Sequence, residues 1–288
     1  MTWHIGVIGG SGLAGGIALE GAEVLAVASP FAEAPVAVTT GTLHGVRFSF
    51  LARHGAGHAV PPSAVNYRAN VDALKRVGVS DVVALSAIGS LREAMAPGHM
   101  VAVDQFIDRT AGRVASFFGV GCVAHVSLAD PVCGRLSALL AGAAEDVGAV
   151  VHRGGCYVAI EGPQFSTRAE SRMYRAWGAD VIGMTGMPEA RLAREAELPY
   201  AMLAMVTDYD AWREEEAGVE AAEVFAVMQK NAEVARAAVV RLAQVLPAER
   251  AGVAADRALE FALATPAVHR DPALVARLDA VAGRVLRQ

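Results

Sequence analysis

Tyr200-Ala201-Met202-Leu203-Ala204-Met205-Val206-Thr207-Asp208-Tyr209-Asp210 is an apolar run closed by two carboxylates one residue apart. A run this short, with no charge in it, reads as a buried strand. Carboxylates at the mouth of a buried strand are costly unless a polar or protonated partner meets them. The pair therefore marks a site.

Working outward, short apolar segments alternate with helical ones. Trp3 to Ile8 reads as a first strand ending in Gly9-Gly10-Ser11-Gly12, with Ala22 to Ala28 and Val46 to Leu51 as further strands. Arg53-His54-Gly55-Ala56-Gly57-His58 is a glycine-rich loop leading to Pro61-Pro62. Ser63 is expected to cap a helix whose Val65, Ala69, Ala73 and Val77 recur at four-residue spacing, stopped by Gly78. Val82 to Leu85 is a short apolar strand running into Ser86-Ala87-Ile88-Gly89-Ser90. His99 to Val103, Tyr157 to Ile160 and Val181-Ile182 also read as strands, and Arg135 to Val147 as a helix.

Thr167-Arg168-Ala169-Glu170 has capping-box spacing before a helix that should end at Gly178. Pro188 suits the first turn of the next helix. After Asp210 the chain reads as helical to about Leu246. Such alternation indicates an α/β protein with a parallel or mixed sheet. In such sheets ligands sit beyond the carboxyl ends of strands. The glycine turn, the Arg-His loop, Ser86 and Asp208 all fall there, so one rim should carry them.

The tail from about Pro247 is rich in Ala and Arg. Leu274, Leu278, Val281 and Val285 form one apolar stripe, predicting a terminal amphipathic helix that packs on its own subunit or a neighbour, or covers a site as a lid.

Composition narrows the function classes. The chain has 288 residues, 54% of them apolar and 19% charged, with a net charge of −5. No basic block appears, against a nucleic-acid binder. Three cysteines, Cys122, Cys133 and Cys156, lack C-x-x-C spacing and read as reduced thiols. Neither a signal peptide nor a run long enough for a membrane span is present, so a cytoplasmic protein with no membrane partner is expected.

Gly10-Ser11-Gly12-Leu13-Ala14-Gly15 matches the dinucleotide fingerprint G-x-G-x-x-G formally. Ala22 to Ala28 already looks extended, however, leaving too few residues for the crossover helix of a dinucleotide-binding unit. A turn whose backbone N–H groups and Ser11 hydroxyl face an anion fits better, beside a plain structural turn. Arg53 and His54 bring a guanidinium fork and an imidazole suited to phosphate oxygens, and Ser86 and Thr185 add hydroxyls at strand ends. His54 and His58 lie four apart, but the intervening glycines argue against a helical zinc pair.

Asp208 and Asp210 should point to the same side of an extended segment. A metal site lacks supporting ligands at suitable spacing. A glycosidase pair would usually take its carboxyls from different elements. A nitrogenous base fits best, because a carboxylate accepts from N–H groups and a protonated one donates to a ring nitrogen. Phe165, in Glu161-Gly162-Pro163-Gln164-Phe165-Ser166, offers a face on which a base can stack.

Together these residues resemble the trimeric purine nucleoside phosphorylase family, and within it the 5′-methylthioadenosine phosphorylases, over roughly residues 4 to 245. The resemblance rests on Gly9-Gly10-Ser11-Gly12, Arg53-His54-Gly55 through His58, Pro62-Ser63 with Val65-Asn66-Tyr67, Gly89-Ser90-Leu91-Arg92, Asp104-Gln105-Phe106-Ile107-Asp108-Arg109-Thr110, Glu161-Gly162-Pro163 and Thr207-Asp208-Tyr209-Asp210. It implies one three-layer α/β domain over residues 1–246, a central mixed β-sheet flanked by helices, followed by a C-terminal helical extension over 247–288. It implies a homotrimer acting on a small nucleoside, with inorganic phosphate as co-substrate and no cofactor or metal.

By position, the resemblance makes Ser11, Arg53, His54, Ser86, Ala87 and Thr185 the phosphate site. Phe165 and Ser166 would flank the purine, Met184 the ribose, and Asp208 and Asp210 the N7 and 6-amino edge. Val224 and Phe225, with His125 of an adjacent subunit, would hold the 5′-methylthio group. Asp208 would be the general acid at N7. Being mostly protonated near pH 7 requires a shift of roughly 3 units from about 3.9, about 4 kcal/mol. Asp at this position favours a 6-amino purine, whereas relatives preferring 6-oxopurines carry Asn. Gly183-Met184-Thr185-Gly186-Met187-Pro188 is closer to the oxopurine-cleaving branches, the methylthioadenosine pattern having Asn where Gly183 stands, and Ser86 replaces a more frequent Thr. A 6-oxopurine nucleoside or methylthioinosine phosphorylase is thus the alternative, with a nucleoside-binding protein without turnover or an NAD-dependent oxidoreductase further off.

Overall fold

The structure of the chain, a computed structural model, describes residues 2–10, 17–213 and 221–287. The elements are β1 (His4–Gly9), β2 (Glu20–Val27), β3 (Val36–Leu43), β4 (Val46–Ala52), α1 (Tyr67–Arg76), β5 (Asp81–Ser90), β6 (Met100–Val103), β7 (Gln105–Arg109), α2 (Gly134–Asp146), β8 (Val151–Arg153), β9 (Cys156–Ile160), α3 (Arg168–Ala176), β10 (Val181–Gly183), α4 (Gly186–Glu195), β11 (Tyr200–Asp208), α5 (Ala221–Val245), α6 (Pro272–Arg277) and α7 (Gly283–Leu286).

The run that ends in Asp208 is a buried strand, as its composition predicts. β11 lies parallel to β5, from Tyr200 opposite Val82 to Val206 opposite Ile88, and antiparallel to β6 on its other edge. β5 is longer than the four residues expected, because its buried character continues through Ser86 to Ser90. It is the hub of a mixed sheet ordered β2-β3-β4-β1-β5-β10-β9-β7, with β11, β6 and β8 branching from it. Near its start β5 pairs in parallel with β1, and at Gly89 and Ser90 it pairs antiparallel with β10. The strands β1, β4, β5 and β11 all run in one direction, so their carboxyl ends form one rim.

The strand after the glycine turn does not return beside β1. β2 pairs antiparallel with β3 at the far end of the sheet. The β-α-β crossover on which dinucleotide binding depends is therefore not formed by these strands.

Local chemistry sets the helix starts. Asn66, not Ser63, caps α1: its side chain accepts from the Ala69 N–H at 3.1 Å, while Pro62–Ala64 form a separate 3-10 turn. Thr167 and Glu170 make the expected capping box at α3. In α4 Met187 is extended, so the regular helix starts at Pro188, where its fixed φ is favourable.

Two apolar cores lie on opposite faces of the sheet, one including α1 and α4 and the other α2 and α5. Of the tail stripe, Leu278 and Val281 are buried in the first core and Leu274 and Val285 are half-buried against it, but it runs over α6, the turn after it and α7 and is not one helix. Ion pairs tie it to the body, Arg76–Asp279 within that break and Arg284–Glu197 just after it. Gly283 at the start of α7 is a poor helix former, which favours the interruption. The three cysteines are free thiols. Among the described residues no helix is long and apolar enough to cross a membrane.

Candidate active site

The rim of carboxyl ends opens on a cavity of about 700 Å³. Arg53, His54, Ser86, Ala87, Phe165, Met184, Thr185, Asp208 and Asp210 all line it, contributed by segments more than 150 residues apart in sequence. Ser11 lies outside the described residues, as do the side chains of Val224 and Phe225. Ser166 is not in the lining, although its Oγ is buried without a partner next to Phe165. His125 does not line the cavity of its own chain. It is exposed, and its backbone N–H donates to the Ala262 carbonyl at 2.8 Å.

Arg53 follows β4 and is buried. Its fork is not free for an anion. Nε donates to Glu189 Oε2 at 3.1 Å and Nη2 to Oε1 at 3.2 Å; Nη1 donates to the Leu85 carbonyl at 2.9 Å and Nη2 to the Ile8 carbonyl at 3.2 Å. Four of five N–H groups are thereby committed within the chain, and one on Nη1 remains. Burial works against the charge, but Glu189 more than offsets it and the guanidinium pKa is raised. Arg53 thus supplies a fixed positive charge and one N–H, where its residue type suggested a bidentate clamp.

Glu189 is the main residue that sequence reasoning missed. It sits on α4 at 1% exposure and also accepts from the Tyr200 hydroxyl at 2.9 Å. The signal was present: a carboxylate on the same buried face as Ala190, Leu192 and Ala193 must have a cation opposite it.

His54 is also buried, and its Nδ1 lies 2.8 Å from the Val60 carbonyl. A carbonyl only accepts, so Nδ1 carries the proton. Burial lowers the imidazole pKa to about 4; Arg53 and the stacked His58 ring push the same way. Near neutral pH His54 is uncharged with a bare Nε2, and suits the O–H of a hydrogen phosphate. Thr185 makes no capping bond to α4, and its Oγ1 lies 3.3 Å from Ser86 Oγ. Two hydroxyls thus meet at the anion-facing end.

At the opposite end the register of β11 slips between Val206 and Asp208, so that Asp208 stands opposite Gly89. The bulge re-aims the carboxylate. Asp208 Oδ1 accepts from the Asp210 N–H at 2.8 Å, and Oδ2 lies 2.7 Å from the Thr207 hydroxyl. Asp210 has a φ of 51°. The chain is therefore turning there, and the two carboxylates share a side through that turn, not through the strand alternation expected. Among the described residues Asp210 Oδ2 is buried without a hydrogen-bond partner of sound geometry, and the Ser171 hydroxyl is the side chain that interacts with this carboxylate. Burial raises the pKa of both groups; Thr207 and the Asp210 N–H oppose it at Asp208, and Ser171 and the Ala211 N–H oppose it at Asp210, where Asp208 and Glu170 add to the burial.

A cavity with cationic, hydroxyl-lined ground at one end and two reluctant carboxylates at the other suits a ligand that is anionic at one end and rich in N–H and ring nitrogen at the other. Comparisons with known proteins agree. The family model described as the phosphorylase superfamily matches residues 4–244. The S-methyl-5′-thioadenosine phosphorylase of Cereibacter sphaeroides is 56% identical over the full length of both chains, and that of Bradyrhizobium diazoefficiens 53% identical over 98% of each. Among solved structures, a methylthioadenosine phosphorylase from an antarctic soil metagenomic library superposes with a TM-score of 0.91 at 44% identity, covering 97% of this chain and 99% of that one. The Schistosoma mansoni methylthioadenosine phosphorylase in complex with adenine gives 0.81 at 36% identity, covering 86% and 93%. Matched in sequence and fold along nearly its whole length, and carrying its cavity on the strand-end rim, the chain belongs to the phosphorylase superfamily.

Proposed function

We propose that the chain is a pentosyltransferase that cleaves S-methyl-5′-thioadenosine with phosphate, yielding adenine and 5-methylthioribose 1-phosphate. The observation that carries this reading is the buried Asp208–Asp210 pair, with Asp210 Oδ2 lacking a hydrogen-bond partner of sound geometry among the described residues, set across one cavity from Arg53, Ser86 and Thr185. The relatives at 53–56% identity bear the name of that activity.

Phosphate sits between the Arg53 charge, the Ser86 and Thr185 hydroxyls and His54 Nε2, with Ser11 adding a donor. Its oxygen attacks C1′ as the C1′–N9 bond breaks, and the bonding pair passes into the purine. Asp208 protonates N7, so adenine leaves neutral. The carboxylate formed keeps the Asp210 N–H and gains the Thr207 hydroxyl, which turns from the Ile88 carbonyl 3.1 Å away. Asp210 Oδ2 accepts from the 6-amino group. Phe165 stacks on the base beside Ser166, and Met184 lies against the ribose. Positioning and charge stabilisation supply the rate, and no cofactor enters.

Met228, one turn along α5 from Val224 and Phe225, lines the cavity, which supports placing the 5′-methylthio group there. A homotrimer completes each site with His125 of a neighbour. The exposed Val120 and Phe261 side chains near His125 support such a contact. Residues 1–246 carry the reaction in this reading, and 247–288 brace the body.

Initial rates with saturating phosphate test it. Adenine release from methylthioadenosine should require phosphate and exceed release from methylthioinosine, inosine and adenosine by at least tenfold. Full-rate release in phosphate-free buffer would sink phosphorolysis, and a methylthioinosine preference would sink the base assignment.

A further inference from the structure

Behind the anion-facing hydroxyls stands a residue to which the reaction above gives no role. Tyr157 lies in β9, is fully buried, and does not line the cavity. Its hydroxyl is 3.2 Å from the Thr185 N–H and 3.4 Å from the Gly186 N–H, and both donate to it. The space it fills exists because residue 183 has no side chain. A Cβ there would lie 2.1 Å from the Tyr157 hydroxyl oxygen and 2.6 Å from Cζ. Ring and glycine are thus complementary in shape: any residue but glycine at 183 displaces the Tyr157 ring.

The bonding has a direction. Two backbone N–H groups occupy the lone pairs of the Tyr157 oxygen, leaving its proton to be given away. Ser86 Oγ donates to the Ala87 carbonyl at 3.2 Å and lies 3.3 Å from Thr185 Oγ1, so the two cavity hydroxyls meet beside the segment that Tyr157 holds. Phe106 packs against the Tyr157 ring with centroids 5.4 Å apart and helps to hold it in place.

We infer that Tyr157 is a positioning residue for phosphate: seated over Gly183, it fixes the Thr185–Gly186 backbone and with it the place of the Thr185 hydroxyl that meets the anion. The inference rests on the reading of that end of the cavity as the phosphate site. It separates the substrates, because the backbone that Tyr157 holds carries Thr185 to Ser86 and not to the Asp208–Asp210 pair.

The test is Tyr157→Phe, which keeps the ring and removes the oxygen. At saturating nucleoside, KM for phosphate should rise at least tenfold. KM for methylthioadenosine and kcat at saturating phosphate should stay within about threefold, while the melting temperature falls by several degrees as two buried N–H groups lose their acceptor. An unchanged phosphate KM, or equal rises in both KM values, would overturn the inference.

Gly183→Ala gives a second arm. It should reproduce the phosphate defect in the wild-type background but add nothing to Tyr157→Leu, whose shorter side chain clears the new Cβ. Equal effects in both backgrounds would show that the contact is not the cause. Should turnover be lost in a variant, calorimetric titration of inorganic phosphate gives the same comparison without catalysis: tenfold weaker binding upholds the inference and unchanged binding overturns it. The underlying reading fails separately, if the wild type neither binds phosphate nor requires it.

Discussion

Thr207 has one proton and two acceptors, the Ile88 carbonyl and Asp208 Oδ2, and this makes Asp208 able to change charge without leaving a buried group unsatisfied. While Asp208 is an acid, Thr207 serves Ile88; once the proton has gone, Thr207 serves the carboxylate. Burial raises the Asp208 pKa, so the acid form persists above the usual carboxylate range and is lost as pH climbs. Asp208→Asn should therefore lower kcat/KM for methylthioadenosine on the order of 10²-fold, the low end of general-acid effects. The 6-amino to 6-oxo ratio should shift towards the oxo nucleoside, and the alkaline fall in kcat/KM caused by this group should vanish, since Asn does not titrate. A retained amino preference, or an unaltered alkaline limb, would refute the role given to Asp208. The carboxylate pair was legible because charge after an apolar strand is rare and costly. Its bulge and the left-handed Asp210 were not, because a one-residue slip depends on how β11 meets β5, which no local pattern records.

Strands buried on both faces were easily read from their composition, as was the exposed edge strand β2, whereas the more polar and shorter strands were not. β11 and the Val82–Leu85 part of β5 are continuous apolar runs, whereas β3 has three Thr and a Gly, β8 has three residues, and β7 lies at the end of the sheet with Gln105 and Arg109 exposed. Polar edges and short pairings are made by neighbours, and they carry little hydrophobic signal. The same limit hid the partnership of β4 with α4. Arg53 and Glu189 are 136 residues apart and meet only when the helix after Pro188 packs across the strand ends. Their side chains are 2% and 1% exposed, so neither charge can turn to water if the other is removed. Glu189→Gln should destabilise the fold by about 3–5 kcal/mol, the range for breaking a buried pair. It should also raise KM for phosphate, because Arg53 loses its anchor. Denaturant unfolding with phosphate kinetics reads both, and a loss below 1 kcal/mol with unchanged phosphate KM would show that the pair does not organise the rim.

For the whole molecule the buried ionisable groups pull stability in opposite directions with pH. His4 starts β1, its Nε2 2.8 Å from Ser49 Oγ in β4, far in sequence from the carboxylates. Burial lowers its pKa to about 4, with the Arg47 charge adding to the effect. In the unfolded chain histidine titrates near 6.5. Between those values the unfolded state binds a proton that the folded state refuses, so the His4 contribution is complete above about pH 6.5 and lost as pH falls towards 4. The difference of about 2.5 units corresponds to about 3 kcal/mol. His54 has the same sign and window. Asp72, Glu195, Asp208 and Asp210 have the opposite sign, because burial raises their pKa values and their contribution declines as pH rises through them. The slope of the wild type alone therefore mixes both groups, and a difference isolates one. The stability gap between wild type and His4→Gln, from denaturant unfolding at steps from pH 7 to pH 4, should shrink by about 3 kcal/mol, because the wild type surrenders a contribution that the variant never had. A gap constant across that range would mean that His4 accepts its proton within the fold, and that the β1–β4 contact holds a charged imidazole.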